Sequence, residues 1–144
     1  MLRLLVRLGL AAMAALNLWW GLWASLAPWH FFDGFPGFGH HWTAAYPPYN
    51  AHLVTDLGAT FLTLGALLAV AAVVADRRVR WSVLAGVWLF NTLHLAFHAG
   101  HRGTMSIVDY RASVASLAAG VAAPLLLAAL DALANRPQRS APST

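Results

Sequence analysis

Charged residues are missing from four long apolar stretches of the chain. These stretches lie between positions 7 and 33, 56 and 76, 80 and 102, and 111 and 131. Each is close to the ~20 residues that an α-helix needs to cross the hydrocarbon core of a bilayer. We therefore predict four transmembrane helices, at about 4–27, 53–75, 81–99 and 112–134.

The pattern predicts an all-α fold: a polytopic membrane four-helix bundle that forms a single domain over residues 1–135. Residues 136–144 are rich in Pro, Ser and Arg and are expected to form a disordered cytoplasmic tail. A soluble four-helix domain is the alternative. Only 10% of the residues are charged, whereas soluble domains carry about a quarter, and soluble helices would show a charged face.

The first apolar stretch also has features of a signal peptide, because Arg3 and Arg7 precede it and Ser25-Leu26-Ala27 resembles a cleavage site. Pro28 would directly follow that cut, which is unfavourable, and the apolar run is long for a signal. We expect a retained helix.

The arginines divide unequally between the two ends of the predicted helices. Only Arg102 and Arg111 flank the end that carries the long 28–52 loop, and the other seven lie at the opposite end. The positive-inside rule then places both termini in the cytoplasm and the long loop outside. Alanine, arginine and glycine are abundant and lysine is absent, a composition typical of a GC-rich bacterial genome, so we expect a multi-pass protein of the bacterial inner (plasma) membrane.

All seven histidines fall on the predicted outer side. They are His30, His40, His41, His52, His94, His98 and His101. The last three recur at spacings of four and three, which places them on one side of a helix. Ionisable groups at membrane depth are costly and usually face partners inside a bundle, so this arrangement predicts a polar site.

The second and third helices are joined by a short loop, which predicts antiparallel neighbours. His52 would then lie level with His98, and Asp56 level with His94. Imidazoles and a carboxylate suit a divalent transition metal such as zinc, copper or iron. We predict metal ligation by His52, Asp56, His94 and His98, with His101 as a further ligand; bis-histidine haem is the less expected cofactor.

Other interpretations of these residues remain open at this point. His94 and Asp56 could form a structural ion pair between two helices, and His101 could be solvated at the end of its helix. Asn17 and Asn91 are expected to form hydrogen bonds between helices. Thr60, Thr63, Ser113 and Ser116 are expected to add hydroxyls at a similar depth.

The long outer loop is dense in aromatic residues and broken by glycine and proline. A loop of this length without regular structure is often a lid or a binding loop. We expect it to fold over the mouth of the bundle, where Asp33 or His40 could act as catalytic candidates that shuttle protons.

Net charge and cysteine content exclude several function classes. The formal net charge is +4, but the arginines sit at helix ends rather than in one patch, so we expect no nucleic-acid partner. The chain has no cysteine, which excludes disulfides and thiolate metal sites.

The run FFDGFPGFGHHW, followed by PPYNAHLVTDLGA and NTLHLAFHAGH, covers most of residues 28–101. It resembles an uncharacterised actinobacterial family of small four-helix integral membrane proteins with a FYDDFPG/HW/PYNEHL-D-GA pattern. A looser similarity, in helix count only, is to DoxX-like proteins. The resemblance implies a fold and no activity. Ala51 stands where that pattern has Glu, so a carboxylate ligand in relatives would be missing here.

Three functions fit these observations. The first is a metal-dependent membrane protein, which could be an enzyme that acts on a lipophilic or extracytoplasmic substrate. The second is a non-catalytic small subunit or assembly factor whose aromatic loop binds a protein or a lipid. The third is a transporter or pH sensor that uses histidine titration. Besides the lipid bilayer, the expected partners are another protein or further copies of the chain.

Overall fold

A computed structural model describes residues 1–135, and the predicted tail at 136–144 lies outside the described residues. The elements follow one another as α1 (Leu2–Leu26), α2 (Pro28–Gly34), β1 (Pro36–Gly37), β2 (His40–His41), α3 (Ala51–Val73), α4 (Arg77–Gly100) and α5 (Ile107–Ala134). Helices α1, α3, α4 and α5 are each long and apolar enough to cross a membrane. The predictions of an all-α fold and of four such helices are confirmed.

Two helices begin four or five residues earlier than predicted, because polar side chains cap them. The Asp76 carboxylate accepts a hydrogen bond from the backbone N–H of Arg78 at the start of α4. Ser106 and Asp109 bond reciprocally at the start of α5, with the Asp109 N–H donating to Ser106 Oγ over 3.1 Å. Such caps satisfy backbone N–H groups that have no partner within the helix.

The long loop was expected to lack regular structure, and this expectation is wrong in part. Pro28 stands at the first position of the seven-residue helix α2, where its fixed φ suits a helix start and its missing N–H costs nothing. Phe31 and Phe32 bury their rings and hold α2 against the other helices. Strands β1 and β2 then form a minimal antiparallel hairpin, whose turn has positive φ at Gly37, Phe38 and Gly39.

Helices α1 and α3 form the most extensive helix–helix interface, and small residues allow their close approach. A Cβ added at Gly21 would lie 2.7 Å from the backbone nitrogen of Leu62 and 2.9 Å from the carbonyl oxygen of Gly58. A Cβ at Gly65 would lie 2.9 Å from the backbone nitrogen of Leu18. Helix α5 packs against α1 on one side and α4 on the other, whereas α4 touches α3 only sparsely.

The two ends of the molecule are held by different interactions. At the end where α1 and α4 begin, called here the arginine end, the Arg7 guanidinium donates to the Ala72 carbonyl oxygen. There Arg80 also pairs with the buried Asp131 at 2.9 Å. At the opposite end, called here the loop end, the backbone N–H of Thr104 donates to the Ala45 carbonyl oxygen over 3.0 Å.

The α1–α3 contact predicts a contrast between two mid-helix glycines. Gly21→Ala should lower the free energy of unfolding by about 1–3 kcal/mol, because the new methyl group collides with the backbone of α3. Gly86→Ala should leave it unchanged or raise it by up to about 1 kcal/mol, since that position opens onto free space and alanine favours the helix. Thermal unfolding in detergent, followed by circular dichroism, measures both; equal effects would contradict the assigned α1–α3 packing.

Candidate functional site

His52 and Asp56 lie together on α3, but away from the other predicted ligands. Their side chains approach to 3.4 Å, between His52 Nε2 and an Asp56 carboxylate oxygen. They are 81% and 60% exposed. This pair belongs to one helix, so the alternative of an Asp56–His94 pair between two helices is wrong: within residues 1–135, Asp56 has His52 as its only ion-pair partner.

The rotation of α3 about its axis explains this separation. The face that α3 buries includes Val54 and Gly58. Asp56 is two residues from each of them, which is about 200° around the helix. His52 and Asp56 therefore lie on nearly the opposite face from the α1 contact.

His94 and His98 do lie side by side on α4, as their spacing predicts. Their ring centroids are 4.6 Å apart, and His94 stacks on Phe90 at 5.6 Å. His101 follows the end of α4, where its Nδ1–H donates to the Phe97 carbonyl oxygen over 2.8 Å. Its ring also stacks on Phe97.

His94 and His98 line a cavity of about 650 Å³ between the helices. Its walls come from α1, α2, α3, α4, α5 and the long loop. They are mainly apolar, with Trp20, Phe35, Trp42, Phe61 and Phe90 among the lining residues. A cavity of this size, with apolar walls and a few polar groups, is typical of a small-molecule site.

Several polar residues predicted at similar depth do meet at this cavity. They are Asn17 on α1, Asn91 on α4, and Ser113 and Ser116 on α5. Asn91 donates to the Gly120 carbonyl oxygen over 2.8 Å, which confirms the predicted bond between helices. Asn17 instead bonds within its own helix, to Met13.

The predicted threonines do not join this group. Thr60 and Thr63 donate to carbonyl oxygens one turn back in α3, at 2.9 Å each, and neither lines the cavity. Threonine can satisfy its hydroxyl in this way inside an apolar helix.

Tyr46 connects the long loop to the histidines. Its hydroxyl donates to the His101 carbonyl oxygen and lies 2.9 Å from His98 Nδ1. Since the single hydroxyl hydrogen goes to the carbonyl, the second bond requires His98 Nδ1–H to donate to the tyrosine oxygen. Neutral His98 therefore keeps an unprotonated Nε2, which is free to accept a hydrogen bond or to bind a metal.

The Tyr46 hydroxyl remains a donor at neutral pH. Burial raises the pKa of Tyr46, and the nearby Tyr110 raises this pKa further. The phenol therefore stays protonated well above pH 7, so the bond to the His101 carbonyl persists across the physiological range.

The catalytic candidates in the loop, Asp33 and His40, do not line the cavity. His40 Nδ1 lies 2.7 Å from the Asp109 carboxylate, which also accepts a bond from Trp42 Nε1 over 3.3 Å. The Asp33 carbonyl oxygen accepts a bond from His41. His40 and Trp42 therefore anchor the loop to the start of α5, whereas the His41–Asp33 bond lies within the loop.

The five predicted metal ligands are not gathered at one point. Among residues 1–135, no three histidine, aspartate or glutamate side chains lie close enough together to hold one ion. His94 and His98 are the part of the predicted set that shares a site, and His52 and Asp56 lie on another surface. Whether any of these residues binds a metal stays a prediction.

No protein-family model, curated protein or solved structure matches the chain. The resemblance to the actinobacterial four-helix family, and the looser one to DoxX-like proteins, therefore stay predictions. The candidate site is argued from its own geometry.

Two residues of the loop end were missed at the sequence level. Asp109 carried a usable signal, because the run from Ser106 to Asp109 fits a helix capping box. Tyr46 carried none, since it is one aromatic residue among many in the loop. Its role depends on a contact over 52 positions of sequence.

Tyr46→Phe should loosen the loop while leaving the helices intact, because it removes the hydroxyl that joins the loop to α4. We expect faster amide hydrogen exchange over residues 43–50, measured by mass spectrometry. Tyr49→Phe is the matched control: Tyr49 packs by its ring against Trp29 and Phe32, so its exchange profile should match the wild type. Unchanged exchange in Tyr46→Phe would show that the hydroxyl does not hold the loop.

Proposed function

We propose that this protein is an integral membrane protein that binds a lipophilic small molecule in the cavity, with the polar end of that molecule at His94 and His98. The observation that carries the proposal is the apolar cavity of about 650 Å³ with a histidine pair in its wall. Known ligand pockets span about 300–1,000 Å³ and use a few polar groups to fix orientation.

The distribution of polar groups supports an amphipathic ligand. His98, held by Tyr46 in one tautomer, offers an unprotonated ring nitrogen as an acceptor. Asn91 and Ser113 add further polar groups, and the remaining wall is mostly aromatic and aliphatic. A molecule with a hydroxyl or similar donor at one end and a hydrocarbon body would match both parts.

Access from the bilayer is supported by the rim of the cavity. Leu16 on α1 and Leu53 on α3 both line the cavity, yet they are 47% and 63% exposed. On helices that cross a membrane, such exposed leucines face hydrocarbon. The ligand can therefore enter from the lipid phase without passing through water.

The proposed membrane arrangement follows the arginines. Arg3, Arg7, Arg77, Arg78 and Arg80 lie at the arginine end, against two arginines at the loop end. By the positive-inside rule, both termini face the cytoplasm of a bacterial cell and the loop end faces outward. The cavity then lies in the outer half of the plasma membrane.

A transition metal is the second candidate ligand, favoured by the closeness of His94 and His98 on one helix face. These two imidazoles would supply two ligands, and the bound molecule or water would have to supply the others. An ion held in this way would act as the polar anchor for the same lipophilic molecule.

Filling the cavity tests the main proposal. Ala123 lines the cavity, whereas its neighbour Ala122 is exposed and does not. Protein purified from membranes in mild detergent should carry a lipophilic compound, detected by solvent extraction and mass spectrometry. Ala123→Phe should lose most of this compound, because its ring occupies the space, and Ala122→Phe should retain it. Equal recovery from both variants would place the compound outside the cavity.

Elemental analysis separates the metal candidate from the main proposal. If His94 and His98 bind zinc, copper or iron, wild-type protein should contain about one ion per chain and His94→Ala should lose it. His30→Ala is the control. His30 lies in the short helix α2 and does not line the cavity, so this variant should keep the ion. The same metal content in all three would exclude His94 as a ligand and leave the lipophilic-ligand proposal standing.

A further inference from the structure

We infer that the face of α3 that carries His52 and Asp56 is covered, in the membrane, by the same face of α3 from a second copy of the chain. The two copies would form a parallel dimer around a twofold axis along the membrane normal. This surface is separate from the cavity, and the inference does not depend on what the cavity binds.

The exposure of an ionisable pair inside a membrane-length helix is the first observation. Asp56 lies five residues into α3, or about 7.5 Å below its start. Its carboxylate is 60% exposed and is paired with His52 of the same helix at 3.4 Å. Carboxylates that face hydrocarbon are costly, and such residues usually face protein or water.

The other carboxylates in the long helices have partners from other parts of the fold. Asp131 is buried against Arg80, and Asp109 accepts bonds from the loop through His40 and Trp42. Within residues 1–135, Asp56 differs because its one ion-pair partner comes from its own helix. The chain itself therefore does not shield this group.

Small residues continue the exposed face below the pair. Ala59, Thr63 and Ala66 are all exposed on α3, and their spacings of four and three residues keep them on the same side as His52 and Asp56. They extend over about 10 Å of helix. Small side chains let membrane helices approach closely, as Gly58 and Gly65 do on the opposite face toward α1.

Charge complementarity identifies the occupant as a second copy. All copies insert with the same orientation, so two α3 helices meet in parallel and at equal depth. Each contributes one basic group, His52, and one acidic group, Asp56. In a twofold arrangement, identical residues lie level with each other, and His52 of each copy reaches about 6 Å, one helical turn, along the axis to Asp56 of the other, so the surface is complementary to itself. A different partner would need its own matching pair at the same depth.

The absence of cysteine from the sequence makes disulfide cross-linking a direct test. Thr63→Cys lies 12 residues after the start of α3 at Ala51, on the proposed interface. Leu89→Cys lies 11 residues before the end of α4 at Gly100, so it sits at a matching depth on an exposed face of another helix. Both proteins are reconstituted in lipid vesicles at low protein density, oxidised, and separated by non-reducing electrophoresis.

We expect a cross-linked dimer from Thr63→Cys at a yield several-fold above that of Leu89→Cys. Cysteines placed singly at 59 and 66, on the same face of α3, should also cross-link. Adding Asp56→Ala to Thr63→Cys should weaken association about threefold to tenfold, the range that one polar contact between membrane helices contributes.

Circular dichroism verifies that each variant keeps its helix content, so that a lost cross-link is not caused by unfolding. Equal yields from Thr63→Cys and Leu89→Cys would overturn the inference, because they indicate random collision. No dimer at any α3 position would also overturn it. Cross-linking in cell membranes to a different protein, with none between copies in vesicles, would assign the surface to that other partner and reject the second copy.

Discussion

The close approach of α1 and α3 is the constraint on which the other features depend. Gly21, Gly58 and Gly65 leave no room for a Cβ in this contact, so the two backbones meet almost directly. This contact fixes the rotation of α3 about its axis. Because Gly58 faces α1, Asp56 and His52 face the other way and lie apart from His94 and His98.

The cavity follows from how the remaining helices pack. Helix α5 bridges α1 and α4, while α4 and α3 have few contacts. The helices therefore enclose space at the loop end instead of closing it with side chains. Large aromatic residues line that space. The loop is held over it by Tyr46 and by the contacts of His40 and Trp42 with Asp109. One open region thus combines an apolar interior with the only two histidines of the long helices that lie side by side, within residues 1–135.

Much of the fold could be predicted because its signals are local. The long stretches without charged residues predicted all four long helices. The positions of the histidines predicted which end of the bundle carries the polar residues, namely the loop end. The helix starts at Arg77 and Ile107 were not predicted, because the first turns contain charged residues and hydropathy alone does not indicate a helix there. Their capping residues, Asp76 and Ser106, were the better signal.

Half of the candidate site could be predicted, and the other half could not, for a similar reason. The spacing of His94 and His98 is a property of one helix, so it was sufficient to place them together. Whether α3 turns its own polar pair toward them depends on its rotation, which the glycine contact with α1 determines. That rotation involves two helices, and a periodic pattern in one of them does not report it. Tyr46 depends on a contact still further away in the sequence.

The guanidinium groups at the arginine end give the molecule an uneven stiffness. Arg7 and Arg80 each donate hydrogen bonds to carbonyl oxygens at and just after the end of α3. Arg80 also forms an ion pair with Asp131. These contacts connect α1, α3, α4 and α5 at the arginine end. The polar contacts of the loop end are two tyrosine hydroxyls, Tyr46 and Tyr110, the Asp109 carboxylate and a few backbone bonds. We therefore expect the helices to separate more readily at the loop end than at the arginine end, and the proposed ligand would enter where they separate.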